Sequence, residues 1–146
     1  MSPIVLMRLL GFAGLIPFIA TALGAMFLSD LLLAVSVRGF LVYSAAILCF
    51  LAGTLWGETL PEPALGDRAP ILISNGVVLF VVFATMTAQP LVAGLLLMLG
   101  HGTQLWYERQ LSARSDWYTR MRTWLTIVAV ICHGMFVIAL MWRPEF

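Results

Sequence analysis

Two histidines carry most of the chemistry open to this chain. His101 and His133 each lie inside a long apolar stretch, where ionisable side chains are scarce and mark functional candidates by default. Imidazoles on neighbouring helices can ligate haem iron between them. Met98, Cys132 and Met135 add soft sulfur donors that suit copper(I), with Met98 and His101 on one helical face at i, i+3. Depth argues against the haem. Counted from the same end of their helices, His101 is six residues in and His133 about eleven, a mismatch of ~7 Å at 1.5 Å per residue. The plainer expectation is that each imidazole makes an interhelical hydrogen bond, with no metal and no cofactor bound.

Glu58 is the other candidate, an acid beside Trp56. At a helix end it serves as an interfacial ion-pair partner for Arg120 or Arg122, or as a proton-relay or substrate-binding carboxylate. The pieces of an enzyme do not assemble around it. There is no glycine-rich phosphate loop, no Cys-x-x-Cys and no acidic pair at mid-membrane. A non-enzymatic role is expected.

The elements that position these residues follow from apolar length. From Ile71 to Tyr107 the chain runs 37 residues without Asp, Glu, Lys or Arg, broken by Gln89-Pro90. One bilayer crossing needs about 20 apolar residues, so this run is a membrane hairpin. The whole chain is 62% hydrophobic and 10% charged, against about 25% charged in ordinary globular domains, and its mean hydropathy is +1.00. A water-facing shell cannot be made from it. A net charge of +1 also excludes the basic surface that nucleic-acid binding requires. The expected fold is all-α: a single domain over residues 1–146, a polytopic bundle of about five transmembrane helices. They are placed at Leu6–Leu28, Gly39–Gly57, Ile71–Thr87, Leu91–Tyr107 and Arg122–Trp142.

Between them, Leu31–Val37 is too short to cross and reads as an interfacial turn or an early start to the second helix. Glu58–Pro70 holds three of the seven prolines and three of the seven acids, a solvated loop. Glu108–Arg120 is long and polar enough for a surface helix. Arg8 followed by an apolar run to Ala25 has the look of a signal peptide, but the run continues to Leu28 and reads as a retained first span. Pro17 should bend that span. Cys49 and Cys132 fall in apolar helices and are expected to be free thiols.

Arginine placement sets orientation. Five spans put Arg8, Arg68, Arg109, Arg114, Arg120 and Arg122 on one side, and Arg38 and Arg143 on the other. That predicts a cytoplasmic N-terminus and a periplasmic C-terminus in a bacterial inner membrane. Trp56, Trp106, Trp117 and Trp124, with Tyr107 and Tyr118, gather at the Arg-rich boundary, as interfacial aromatics do.

Ala45, Cys49, Gly53 and Gly57 place a small residue at every fourth position of the second helix. In lipid such a stripe lets another backbone approach closely, whether the first helix with Gly11, Gly14 and Gly24 or another protein.

The phrase from Tyr43 through Ala45, Cys49, Gly53 and Trp56 to Gly57 resembles the second-helix signature of the transmembrane protein 69-like family (domain of unknown function 3429). The Leu10-to-Phe18 segment resembles its opening helix, and Trp117 to Thr126 its motif entering the last helix. The resemblance implies a small polytopic helical protein of a mitochondrial or bacterial inner membrane and carries over no catalytic or binding residue. Leu55 stands where many members have histidine, so a metal or proton role at that position does not transfer. The matched residues Trp56, Trp117, Tyr118, Arg120 and Arg122, together with Glu58 just past the second-helix phrase, form a candidate contact for a lipid headgroup or a partner's acidic loop, since guanidinium pairs well with phosphate.

The expected function is a non-enzymatic accessory or assembly subunit of a larger membrane complex, its partners the lipid bilayer and other membrane subunits. The alternative is a binder or carrier of a lipid, quinone or isoprenoid-like ligand.

Overall fold

The structure, a computed structural model, describes residues 2–59, 68–87, 89–111 and 115–143, the side chains of Glu58, Thr59 and Thr87 excepted. They form helices α1 (Pro3–Ala13), α2 (Leu15–Phe27), α3 (Asp30–Thr59), α4 (Ala69–Thr87), α5 (Pro90–Glu108) and α6 (Asp116–Met141). No strand occurs among the described residues.

The first expected span is two helices joined at a kink. The break falls at Gly14, three residues ahead of Pro17. A proline ring clashes with the carbonyl four residues back and cannot donate to it, so the disruption lands on Ala13, the last residue of α1. Ser2 caps α1 by accepting from the Val5 N–H. Pro3 and Pro90 occupy first-turn positions of α1 and α5, where a missing N–H costs nothing. The Gln89-Pro90 break is thus the start of α5.

Leu31–Val37 belongs to α3, which begins at Asp30. The reversal from α2 takes only Leu28 and Ser29, and it places Asp30 at φ 53°, a left-handed conformation that Asp tolerates better than most side chains. At 30 residues α3 is ~45 Å long, well beyond a ~30 Å hydrocarbon core, so it crosses tilted or extends past the bilayer. Among the described residues of Glu108–Arg120 the expected separate surface helix is not seen. Glu108 ends α5, Asp116 opens α6, and residues 112–114 lie outside the described residues. Much of the Glu58–Pro70 loop does also.

Pro3–Phe27, Asp30–Gly57, Ala69–Met86 and Asp116–Met141 are each long and apolar enough to cross a membrane. The fifth helix, α5, has similar length but is diluted by His101, Gln104 and Glu108. Cross-contacts fix the directions. Gly14 meets Tyr43 and Gly24 meets Ser36, so α2 and α3 are antiparallel; Gly94 meets Phe136 and Glu108 meets Arg122, so α5 and α6 are antiparallel. The kinked first span runs parallel to α6, its Gly11 against Leu125 and Met121.

Burial is inverted relative to a water-soluble domain. Leu72, Leu79, Phe83 and Met86 of α4 face outward, while Ser44, His101, Gln104, Glu108, Arg122, Thr126 and His133 are buried between helices. Lipid tails are as apolar as leucine, so exposed apolar side chains cost nothing there, and polar groups are stable where they find one another. An aromatic group packs the centre, with Phe40 stacked on Phe136 at a centroid distance of 4.2 Å and Phe18 edge-on to Phe40 at 5.7 Å.

Candidate functional site

The buried polar residues share one seam because each helix contributes them at helical spacing. Gly94, Leu97, His101, Gln104 and Glu108 repeat at three and four residues along α5; Arg122, Thr126, Ala129, His133 and Phe136 do so along α6. Phe40, Ser44, Leu48, Leu51 and Leu55 line the facing side of α3. Such stripes face a partner helix.

At the middle of the seam one hydroxyl joins both histidines. Ser44 Oγ is 2.8 Å from His133 Nε2 and 3.1 Å from His101 Nε2. The His133 Nδ1–H donates to the Ala129 carbonyl at 2.7 Å. With both rings neutral, this fixes the order of protons. His133 Nε2 accepts from the Ser44 hydroxyl, which in turn accepts from His101 Nε2–H. His101 Nδ1 is left as an acceptor without a partner among the described residues. The ring centroids lie 5.3 Å apart, closer than their positions along the helices suggest. Side chains lean toward the N-terminus of their own helix, and on antiparallel helices those leans converge. The ~7 Å offset between the backbones is taken up by the two rings.

Ser44 and His133 have the donor–acceptor relation of a nucleophile and base, which the sequence alone did not show. The hydroxyl has no route to a substrate. Ser44 and His133 are 0% exposed, and Phe18 and Phe40 pack on the His133 ring with centroids 5.6 and 4.8 Å away. Among the described residues no three His, Cys, Asp or Glu side chains converge as a metal set. Cys49 and Cys132 are free.

Toward the Arg-rich end the seam holds an ion pair. Arg122 donates through Nε to Glu108 Oε2 at 2.9 Å and through Nη2 to Glu108 Oε1 at 3.1 Å, the bidentate fork that makes Arg–carboxylate pairs strong and directional. Gln104 Nε2 donates to the same Oε1 at 3.1 Å and reaches the Leu51 carbonyl at 3.4 Å. Its own Oε1 is buried with no donor. Arg122 takes Glu108 as partner; the side chain of Glu58, the acid expected to pair with Arg120 or Arg122, lies outside the described residues. Arg120 is exposed, two residues away and on another face, so it and Arg122 do not converge. Trp117 and Tyr118 are half-buried, their rings 5.9 Å apart, with the Arg8 guanidinium 5.5 Å from the Trp117 ring. Trp56 is exposed. Of the small-residue stripe, Ala45 and Cys49 pack beside Leu48, Val81 and Leu97, whereas Gly53 and Gly57 have open space where a Cβ would stand.

Beside the seam lies a cavity of ~450 Å³, within the range of ligand sites. Met7, Leu10, Leu15, Phe18, Ile47, Phe50, Leu51 and Leu125 make it apolar; Tyr43, His101, Tyr118, Arg122 and Thr126 contribute polar atoms. It exists because the kink swings α1 away. No residue of α1 is buried, and α1 leans on α2 and α6 with no comparable seam against α3. The Tyr43 hydroxyl pins the kink by donating to the Gly14 carbonyl at 2.7 Å. Met7, Leu10 and Phe50 are exposed at the mouth, so the opening faces the lipid side between α1 and α3.

Ser44, Gln104, Glu108 and the cavity are what sequence reading missed. The spacing of 101, 104 and 108 was a usable signal for the first α5 residues; the cavity had none.

A family model described as a protein of unknown function (DUF3429) matches residues 4–138. The chain belongs to this family. It is also 33% identical over 125 residues to Transmembrane protein 69 of Xenopus tropicalis, covering 83% of this chain and 49% of that protein. The chain thus spans about half the length of the curated relative it matches. No solved structure matches it. As a DUF3429 member it is an all-helical membrane protein whose biochemical activity the family description leaves open.

Proposed function

We propose that this DUF3429 protein binds an amphiphilic chain, of lipid, quinone or isoprenoid type, in the cavity between α1, α3 and α6. The observation that carries this reading is a ~450 Å³ apolar space with polar groups in its wall and a mouth, at Met7, Leu10 and Phe50, toward the bilayer. A ligand dissolved in the membrane reaches such a site sideways, without crossing water. Arg-rich asymmetry supports a cytoplasmic placement of the end that holds Arg8, Arg109, Arg120 and Arg122, with the Arg143 end periplasmic, in a bacterial inner membrane. Native mass spectrometry of gently purified protein tests the reading. A bound amphiphile that disappears in an Ile47→Trp variant, which fills the cavity, is the expected result. Wild type and Ile47→Trp carrying the same lipids would refute it.

A second role, as accessory subunit of a larger membrane complex, is favoured by Gly53 and Gly57, where an added Cβ would meet no atom of the described residues within 4 Å, beside the exposed Trp56. Co-purification of another membrane protein with wild type, lost in Gly53→Leu, supports it; a solitary monodisperse chain in mild detergent speaks against it.

A further inference from the structure

We infer that the ligand of this cavity carries an uncharged, hydroxyl-type head, a prenol or long-chain alcohol, and not a phosphate or carboxylate. The inference rests on the cavity-binding reading and narrows its ligand class.

A guanidinium in a pocket ordinarily signals an anion site. Here the charge of Arg122 is already answered. Both carboxylate oxygens of Glu108 sit on the guanidinium at 2.9 and 3.1 Å, in a pair whose side chains are 7% and 3% exposed. A second anion entering the cavity meets a guanidinium whose charge Glu108 already offsets, and the nearby carboxylate repels it while it loses its own hydration.

The remaining polar atoms in the wall are neutral. Three buried residues of that wall keep unused capacity among the described residues. His101, 2% exposed, has Nδ1 free to accept. Thr126, 5% exposed, has a hydroxyl with no partner. Arg122, 6% exposed, has Nη1 free to donate. Tyr43 and Thr54 are already committed to the Gly14 and Leu51 carbonyls. A hydroxyl both donates and accepts, so a single alcohol group can give its proton to His101 Nδ1 and take one from Thr126 or Arg122. Its chain then lies along Phe18, Ile47, Leu51 and Leu125 toward the mouth.

The test uses the full chain in lipid nanodiscs, with farnesol and farnesyl monophosphate as probes that share a chain and differ in the head. Farnesol is expected to bind at one saturable site at least ten-fold tighter than the phosphate. Glu108→Gln, which uncovers the Arg122 charge, is expected to reverse that order. Should Glu108→Gln fail to fold, Thr126→Val carries the test, with a loss of about ten-fold for farnesol and little change for the phosphate. Equal or tighter binding of the phosphate by wild type overturns this inference and leaves the cavity reading standing. If neither probe binds, this inference falls, and the native mass spectra of wild type and Ile47→Trp decide the cavity reading.

Discussion

His101 and His133 meet on one serine hydroxyl although their backbone positions are offset along the bundle. Their rings stand 5.3 Å apart because each leans toward the start of its own helix and the helices run in opposite directions. The Ser44 hydroxyl is therefore a bracket for three helices, α3, α5 and α6, and removing it should loosen all three.

Ser44→Ala leaves one imidazole N–H and one imidazole lone pair without partners in a region closed to water. Each unsatisfied buried group costs about 1–3 kcal/mol. Thermal unfolding of the variant in detergent is expected at a clearly lower temperature than wild type. An unchanged transition would show that the bracket does not support the bundle.

Breaking the Glu108–Arg122 pair from one side strands a buried charge, at about 3–5 kcal/mol. Glu108→Leu and Arg122→Leu should each be severely destabilising. The double variant should recover much of the loss, since two apolar side chains replace a buried ion pair at little cost. A double-mutant cycle measures this, and additive effects would contradict the pairing.

The glycines separate into two groups by what a methyl would meet. At Gly94 it would lie 2.9 Å from the Phe136 ring, which stacking on Phe40 prevents from yielding. At Gly24 it would collide with Ser36. Gly94→Ala and Gly24→Ala should destabilise by about 1–3 kcal/mol through overpacking. Gly53→Ala meets nothing and should leave the isolated protein unchanged or up to about 1 kcal/mol more stable, from helix propensity. Thermal shifts across the three variants check the ranking.

Tyr43→Phe removes the hydroxyl that holds the Gly14 carbonyl. Loss of one such bond is worth about 0.5–1.5 kcal/mol, small for the fold but concentrated at the kink. Hydrogen exchange of the backbone amides around Gly14–Phe18 should quicken while α5 and α6 keep their protection. Uniform acceleration across the bundle would place the effect elsewhere.

The number of spans was readable because a bilayer imposes a minimum apolar length, and Gln89-Pro90 and Pro17 mark their breaks locally. The polar seam was half readable. His101 stood out as an imidazole in an apolar helix, but Glu108, just past a 37-residue uncharged run, read as the start of a polar surface helix. Only its spacing from His101 and Gln104 placed it on the same face. That Glu108 partners Arg122 depends on which helices are neighbours, and side-chain types do not encode that. The cavity was not readable at all, because it is the space left when α1 turns aside at Gly14.

Arg143 gives the bundle a further property. Its Nη2 donates to the carbonyls of Met26 and Leu28, at 3.2 and 2.8 Å, where α2 ends and its last carbonyls lack helical partners. The α1–α2 span thus obtains this cap, and its α6 neighbour, only after α3, α4, α5 and α6 have been made. Until then Phe18 has no α6 beside it. A chain stalled before α6 leaves those carbonyls and Phe18 without these partners, and should be cut by membrane proteases faster than the finished bundle.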